Sequence, residues 1–176
     1  KKVEHGKTFD RNAANPPAFE IFHNTVTEGY PEHWHTAIEI IMPTRGEYEV
    51  VVGKDSYNLK EGDIIMINSG VVHGMRFVSQ GERIVMLVEP GCVENQEEME
   101  TIFLRLPAIY FKKEDEEDPF YLFLRSQILE LVREYDNEGA VMTHRICTGL
   151  KELFSEFGRK GFSDANAQNT FGAMKQ

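Results

Sequence analysis

Short apolar runs separated by turn-forming residues characterise the chain from residue 19 to residue 90. The runs cover residues 19–27, 37–42, 48–52, 64–67, 75–78 and 84–88. Glycine and proline interrupt them, for example at Pro43, Gly46 and Gly53. Many short strands at close, regular spacing indicate a β-sandwich or β-barrel, because alternating β and α units would place helical patterns between the strands.

The pattern changes to a helical period in the second half of the chain. Asn95, followed three residues later by Glu98, predicts a short helix that ends before Pro107. A charged loop follows, and Asp118 with Pro119 predicts the start of a longer helix. Apolar positions with a helical period are Phe120, Phe123, Leu124, Ile128, Leu131 and Tyr135, and then Met142, Ile146, Leu150, Leu153, Phe154 and Phe157. Two amphipathic helices are therefore expected to form a hairpin after the β-unit.

These patterns divide the chain into an arm over residues 1–18, a β-barrel over 19–92, a helical segment over 93–160 and a linker or tail over 161–176. The apolar stripe of each long helix must be buried against the barrel, against the other helix or against a second copy of the chain. We predict packing on the barrel, dimerisation or both. The predicted dimerisation residues, with packing inside the chain as the alternative for each, are Phe123, Leu124, Ile128, Leu131, Leu150, Leu153 and Phe157.

Charge and composition narrow the classes of partner. The formal net charge of the 176-residue chain is −10, from 29 acidic and 19 basic residues, which argues against nucleic-acid binding by this chain itself. No apolar run approaches the roughly 20 residues of a membrane span, so no membrane partner is expected. Cys92 and Cys147 lie far apart in sequence and match neither a metal-type spacing nor a disulfide framework. A reducing cytoplasm is therefore the expected location.

The candidate chemistry is concentrated in two short stretches that contain histidine. His33, His35 and Glu39 share one face if their backbone is extended, because successive side chains of a strand alternate between faces. A second stretch supplies His73 just after a glycine-containing turn. Three imidazoles and one carboxylate suit a borderline divalent ion. A histidine pair on a strand is often only structural, so the pattern alone leaves both interpretations open.

The two stretches resemble the two sequence motifs of the cupin superfamily. The run Gly29…His33-X-His35-X3-Glu39-X6-Gly46 is similar to the first motif, and Gly62-X5-Asn68-X-Gly70-X2-His73 is similar to the second. The resemblance implies a mainly β fold with α, namely a cupin double-stranded β-helix (jelly-roll barrel) followed by the C-terminal α-helical hairpin. It also implies a divalent metal ion (Zn, Mn, Fe or Ni), whose ligands in metal-bearing cupins correspond to His33, His35, Glu39 and His73.

The order of the parts is similar to that of a second group of proteins. A polar arm, a cupin barrel and a Leu- and Phe-rich helical hairpin resemble the N-terminal sensor and dimerisation domain of AraC-type transcription regulators. The resemblance implies a homodimer that binds a small-molecule effector and contacts DNA only through a helix-turn-helix region missing from this chain. The complete ligand set keeps an alternative open, a free-standing metal-dependent cupin enzyme acting as a dioxygenase, isomerase or lyase. No candidate catalytic acid–base pair is evident, so the sensor is the preferred interpretation.

Further side chains are predicted to line the effector pocket. Aromatic and methionine side chains at a barrel mouth favour a sugar or another small organic ligand. The predicted pocket residues, with core packing as the alternative, are Phe22, Tyr48, Phe77 and Met86. Arg45 has a side chain suited to binding a carboxylate, but its position in a turn favours exposure.

Overall fold

The computed structural model of the chain describes residues 18–25, 29–92, 107–113, 118–137 and 144–155. Within these residues, nine strands precede two helices. The strands are β1 (Phe19–Asn24), β2 (Tyr30–His33), β3 (Ile38–Arg45), β4 (Tyr48–Val52), β5 (Asp55–Leu59), β6 (Ile64–Ile67), β7 (His73–Phe77), β8 (Glu82–Val88) and β9 (Ala108–Phe111). A 3-10 turn follows β8 at Pro90–Cys92, helix α1 spans Pro119–Asp136, and the helical residues 144–155 are called α2 here.

The strands form two antiparallel sheets that enclose a common interior. The five-stranded sheet has the order β1-β8-β3-β6-β9 and the four-stranded sheet has the order β2-β7-β4-β5. Side chains of both sheets meet in one cluster, the barrel core, which comprises Ile41, Tyr48, Val50, Val52, Leu59, Ile65, Ile67 and Met75. Because both sheets contribute, this core lies between them, as in a jelly roll. The mainly β fold with C-terminal helices expected from the sequence is confirmed.

Strand β3 is buried on both faces, which explains its almost continuous apolar sequence. Ile38, Ile40 and Met42 belong to a second cluster, the helix-side core, whereas Ile41 belongs to the barrel core. Successive side chains of a strand point to opposite faces of the sheet. Glu39 therefore points to the barrel side.

Helix α1 begins where the sequence predicts. An Asp118 carboxylate oxygen accepts a hydrogen bond from the Phe120 amide at 2.9 Å, and proline occupies the first turn. The buried side chains of the two helices are Phe120, Tyr121, Leu124, Ile128 and Leu131 on α1, and Ile146, Leu150, Leu153 and Phe154 on α2. They join side chains of β1, β3, β6 and β8 in the helix-side core. Each such aliphatic side chain contributes about 1.5–3 kcal/mol through burial, so the helices are part of the domain's core.

This packing corrects the predicted set of dimerisation residues. Five of the seven are at most 3% exposed inside the single chain and have no surface to offer a second copy: Leu124, Ile128, Leu131, Leu150 and Leu153. Phe123 is half-buried, and Phe157 lies outside the described residues. The large apolar side chains that α1 does expose are Leu122, at 49%, and Leu129, at 38%.

Three strands have no counterpart in the predicted pattern. All four residues of β2 are exposed, and β5 is a mostly exposed edge strand, so neither shows an apolar run. β9 extends the five-stranded sheet by pairing with β6, although the sequence pattern assigned its residues to the helical segment. Strands of four or five residues with few buried side chains are too short to show a clear period.

The two cysteines differ from their sequence expectation. The Sγ atoms of Cys92 and Cys147 lie 3.3 Å apart, although the residues are 55 positions apart in sequence. The contact joins the turn after β8 to α2, and only the folding of α2 onto the barrel brings it about.

Three predicted segments lie outside the described residues: the arm up to residue 17, the helix that starts near Asn95 and the tail from residue 161. Within the part of the chain that the structure describes, no helix has the length and apolar character needed to cross a bilayer.

Candidate metal centre

Four side chains from distant parts of the chain converge between the two sheets. His33, His35, Glu39 and His73 each offer one ligand atom such that all four atoms lie within 4.8 Å of one another. The ring centroid of His73 lies 4.5 Å from that of His33 and 4.9 Å from that of His35. Only His33 is exposed, while the other three are buried. The structure thus brings together the four residues predicted as metal ligands.

The backbone that carries the first three ligands is not one continuous extended strand. His33 ends β2 in the four-stranded sheet, and β3 in the five-stranded sheet begins only at Ile38. Residues 34–37 take the chain from one sheet to the other. The condition for alignment by alternation, a continuous extended backbone, is therefore not met. They converge because the chain crosses between the sheets at this point.

The position of His73 follows from strand pairing. His73 opens β7 and is the register partner of His33 on β2. The Gly70 amide donates a hydrogen bond to the carbonyl oxygen of His35 at 2.9 Å, which ties the loop before β7 to the crossing segment. A Cβ on Gly74 would lie 3.2 Å from the backbone nitrogen of Glu32, so the missing side chain allows β2 and β7 to approach closely.

Each of the three histidines is oriented by a backbone carbonyl two residues away. The Nδ1 atoms lie 2.9 Å from the oxygen of Pro31 for His33, 2.9 Å from that of Ala37 for His35 and 2.8 Å from that of Val71 for His73. A carbonyl oxygen can only accept, so each Nδ1 carries the proton. This pattern fixes the orientation of each ring, so that Nε2 faces the centre of the cluster, as is usual for metal-binding histidines.

Glu39 is the electrostatic focus of the cluster. Its Oε2 atom lies 2.9 Å from Nε2 of His35 and 2.9 Å from Nε2 of His73. Burial by itself would raise the pKa of Glu39, but the hydrogen bonds and charges of the two histidines outweigh it and lower the pKa from 4.5 to about 2. Burial would likewise lower the pKa of His73, but the bond to Glu39 and its charge raise it. The carboxylate is therefore ionised at neutral pH.

The donor set fits a divalent metal by its chemistry. Three imidazole nitrogens and one carboxylate oxygen are ligands that suit Zn, Mn, Fe or Ni, and the carbonyl-anchored Nδ1 atoms supply the orientation such ligands need. Among the described residues, no other group of three His, Cys, Asp or Glu side chains comes this close together.

The predicted pocket residues lie in two different regions. Tyr48 is fully buried in the barrel core, and its ring centroid lies 6.5 Å from that of Phe77, which is partly exposed. Phe22 is half-buried and pairs with Val85, on the barrel side of β1. Met86, in contrast, is fully buried in the helix-side core. Because that core lies on the other face of the five-stranded sheet, we exclude Met86 from the pocket.

A buried arginine near these residues was missed by the sequence pattern. Arg83 lies in β8 and is 0% exposed. The predicted strand began at residue 84, which left Arg83 in the preceding turn. Residues two positions apart in a strand lie on the same face, and Val85 packs against the barrel core. The spacing between Arg83 and Val85 was therefore the sequence signal for a buried Arg83. Arg45 has a side chain that is 60% exposed and pairs with Glu82 at 3.1 Å, as its place in a turn suggested.

Residues 24–89 match the family model described as Cupin domain (Cupin_2). The matched region contains all four candidate ligands and both sheets except for β9 and most of β1. The barrel is therefore a cupin domain. No curated protein sequence matches the chain significantly.

Solved structures are similar to this chain at low sequence identity. An apo variant of ToxT from Vibrio cholerae aligns over 86% of this chain and 58% of its own, with 13% identity and a TM-score of 0.57. The chain thus spans less than two thirds of the length of ToxT. A single-site variant of oxalate decarboxylase OxdC from Bacillus subtilis covers 41% of this chain and 21% of its own, with 18% identity and a TM-score of 0.38. A cupin-2 domain containing protein from Shewanella frigidimarina covers 43% of this chain and 76% of its own, with 16% identity and a TM-score of 0.38.

Proposed function

We propose that this chain is the effector-binding and dimerisation domain of an AraC-type transcription regulator, and that a divalent metal in the cupin barrel takes part in binding the effector. The observation that carries the proposal is the convergence of His33, His35, Glu39 and His73 within 4.8 Å. Three carbonyl-anchored imidazoles and an ionised carboxylate form a prepared set of donors. Such a set would otherwise have to be satisfied by hydrogen bonds or water.

The four side chains would hold the metal through the three Nε2 atoms and a carboxylate oxygen. A metal bound there supplies a Lewis acid that attracts oxygen donors, such as the hydroxyl or carboxyl groups of a small organic molecule or sugar. The residues of the chain provide orientation, since the backbone carbonyls hold the rings. The exposed position of His33 puts one edge of the cluster within reach of solvent, from which an effector can enter.

The helices favour a regulator over an isolated barrel. They cover the outer face of the five-stranded sheet and share the helix-side core with it, so barrel and helices form one packed unit. An effector shifts an equilibrium only through different affinities for two states. A unit packed in this way can pass such a difference from the barrel to an attached segment. The likeness to ToxT extends over 86% of this chain, so it includes the helices as well as the barrel.

The proposed partners follow from the same assignment. The formal charge of −10 suits a sensor that leaves DNA contact to a separate helix-turn-helix region. A homodimer is proposed because this class of regulator binds paired half-sites. The exposed pair Leu122 and Leu129, seven residues apart on α1, is the apolar surface that the helices retain for it. A cytoplasmic location belongs to the same proposal.

The function is tested by comparing binding with turnover in metal-loaded protein. Protein loaded with Co²⁺ is mixed with a panel of sugars and diketones, and the visible spectrum and oxygen uptake are recorded. We expect at least one compound to change the Co²⁺ spectrum in a saturable way without any catalytic oxygen uptake or product. A spectrum unchanged by every compound would argue against metal-dependent effector binding.

The alternative is a metal-dependent cupin enzyme, and the complete set of three histidines and one glutamate favours it. In that case Fe²⁺-loaded or Mn²⁺-loaded protein would turn over a diketone or sugar with many cycles per chain, and His73→Ala would abolish turnover. Among the described residues, we identify no separate acid–base pair beside the cluster. We therefore place the enzyme second.

A further inference from the structure

Arg83 is a charged side chain that crosses the interior of the barrel. It belongs to β8 of the five-stranded sheet, yet its guanidinium carbon lies 4.8 Å from the ring centroid of Tyr48 and 5.4 Å from that of Tyr30. Both tyrosines belong to the four-stranded sheet. The guanidinium therefore lies between the sheets, where Arg83 is 0% exposed.

No hydrogen-bond acceptor reaches this guanidinium among the described residues. All three guanidinium nitrogens of Arg83 are buried without a hydrogen-bond partner, and so is the hydroxyl of Tyr48. The faces of two tyrosine rings offset part of the cost through cation–π contact. They do not accept the five N–H bonds that an arginine offers. A buried ionised group without acceptors is strongly unfavourable. The unused N–H groups of Arg83 and the unused hydroxyl of Tyr48 therefore point to a missing acceptor.

The missing acceptor is best matched by one carboxylate. A planar guanidinium binds a carboxylate through two parallel hydrogen bonds, and the neighbouring Tyr48 hydroxyl can donate a further one. Arg83 supplies one positive charge, which balances a monoanion better than a phosphate dianion. The rings of Tyr30 and Tyr48 are the apolar neighbours of the guanidinium that the rest of such a molecule would meet. The Tyr30 ring also lies 6.5 Å from that of His33, which connects this region with the metal centre.

We infer that Arg83, assisted by the hydroxyl of Tyr48, binds the carboxylate of a small monocarboxylic acid inside the barrel. The inference rests on the effector-binding function proposed above, and it names the chemical class of the effector. Neither the cupin motifs nor the metal cluster includes Arg83. The arginine that the sequence suggested for a carboxylate, Arg45, is engaged at the surface instead.

The test uses metal-free protein, prepared with EDTA, so that a carboxylate cannot bind through the metal. Acetate, pyruvate and benzoate are titrated, with benzamide as a neutral analogue of benzoate and inorganic phosphate as a second anion. Heat of binding and melting temperature are measured. We expect at least one carboxylate to bind saturably and raise the melting temperature, while benzamide has no effect and phosphate binds more weakly.

Variants assign the binding to the named side chains. Arg83→Met keeps an unbranched side chain and removes its charge and its N–H donors, and we expect it to weaken carboxylate binding by about tenfold or more. Arg45→Met is the matched control and should bind like the wild type. If Arg83→Met does not fold, Arg83→Lys and Tyr48→Phe take its place, each with several-fold weaker binding expected. Absence of binding by all three carboxylates, or an unchanged affinity in the Arg83 variants, would overturn the inference.

A parallel metal titration separates this inference from the proposed function. Wild type and Arg83→Met should take up the same amount of Zn²⁺, since Arg83 is not one of the four metal ligands. Normal metal uptake without any carboxylate binding refutes the carboxylate inference alone. Carboxylate binding that depends on Arg83, in protein that takes up no metal, supports the inference and refutes the metal-dependent function alone.

Discussion

The Nε2 atom of His73 lies 2.9 Å from Oε2 of Glu39, although the two residues are 34 positions apart in sequence. Glu39 belongs to β3 in the five-stranded sheet and His73 to β7 in the four-stranded sheet. Their contact therefore joins the two sheets across the interior of the barrel. The lone pair that His73 would donate to a metal and the proton that it shares with Glu39 occupy the same nitrogen atom.

Metal affinity is expected to fall steeply as the pH is lowered. Glu39 raises the pKa of His73 despite its burial, so protons compete for its Nε2 from a higher pH than for an ordinary histidine. Imidazole binds a metal only when neutral, and occupancy should be lost on going from about pH 7.5 towards pH 5. Competition with a coloured chelator, measured at several pH values, checks this. An affinity for Zn²⁺ that does not change over this interval would contradict it.

Neighbouring residues of α1 should differ sharply in their contribution to stability. Ile128 is 0% exposed in the helix-side core, whereas Leu129 is 38% exposed. Ile128→Ala should lower the free energy of unfolding by about 2–5 kcal/mol, because it removes buried methyl groups and leaves a cavity. Leu129→Ala is the control, with an expected loss of no more than about 1 kcal/mol. Urea unfolding of both variants gives the comparison, and equal losses would speak against the packing of α1 on the barrel.

Cys92 and Cys147 should form a disulfide under mild oxidation. Burial and the contact with Cys147 raise the pKa of Cys92 to about 12, so its thiol is protonated and slow to react at neutral pH. Diamide would take two electrons and two protons from the two thiols and be reduced to the hydrazine form. The bond should raise the free energy of unfolding by up to about 4 kcal/mol and should form faster as the pH rises.

Mass spectrometry of peptides checks this cross-link, and Cys92→Ser is the control that cannot form it. A product linked between chains, or none at all after prolonged oxidation, would be inconsistent with the 3.3 Å contact between the Sγ atoms.

Dimerisation, if it uses α1, should depend on the two leucines that the helix exposes. Leu122→Lys combined with Leu129→Lys places charge on that face without touching the helix-side core. We expect this variant to sediment as a monomer at tens of micromolar, where we expect the wild type to be a dimer. Val78→Lys is the matched control, since Val78 is 53% exposed but lies outside α1. A wild type that is monomeric at this concentration would refute the proposed homodimer.

The sequence predicted the buried strands best where an apolar run marks them. β4 and β6 have the predicted bounds because apolar runs and glycine turns delimit them, and α1 begins at the predicted Asp118 cap. β2 and β5 escaped prediction because exposed strands show no apolar pattern. The stripe on α1 was identified in part: Phe120, Leu124, Ile128 and Leu131 are buried as predicted, whereas the buried Tyr121 was missed. Periodicity alone does not say which surface covers the stripe.

The candidate site shows the same division between pattern and three-dimensional arrangement. The four ligand types and their order followed from the motifs. The path of the backbone did not, because the chain between His33 and Ile38 crosses from sheet to sheet instead of continuing as a strand. Arg83 was missed because a single arginine at a strand end usually lies at the surface. Its burial depends on tyrosines of the opposite sheet, which no local pattern brings together with it.

The metal content of purified protein, measured after loading with Zn²⁺ and removal of excess at about pH 7.5, tests the converging ligand set most directly. The wild type should retain about one ion per chain. The double variant His33→Ala/His73→Ala should retain essentially none. A second double variant, His23→Ala/His144→Ala, alters two histidines outside the cluster and should retain as much as the wild type. Equal metal content in all three proteins would show that the four side chains do not form a metal centre.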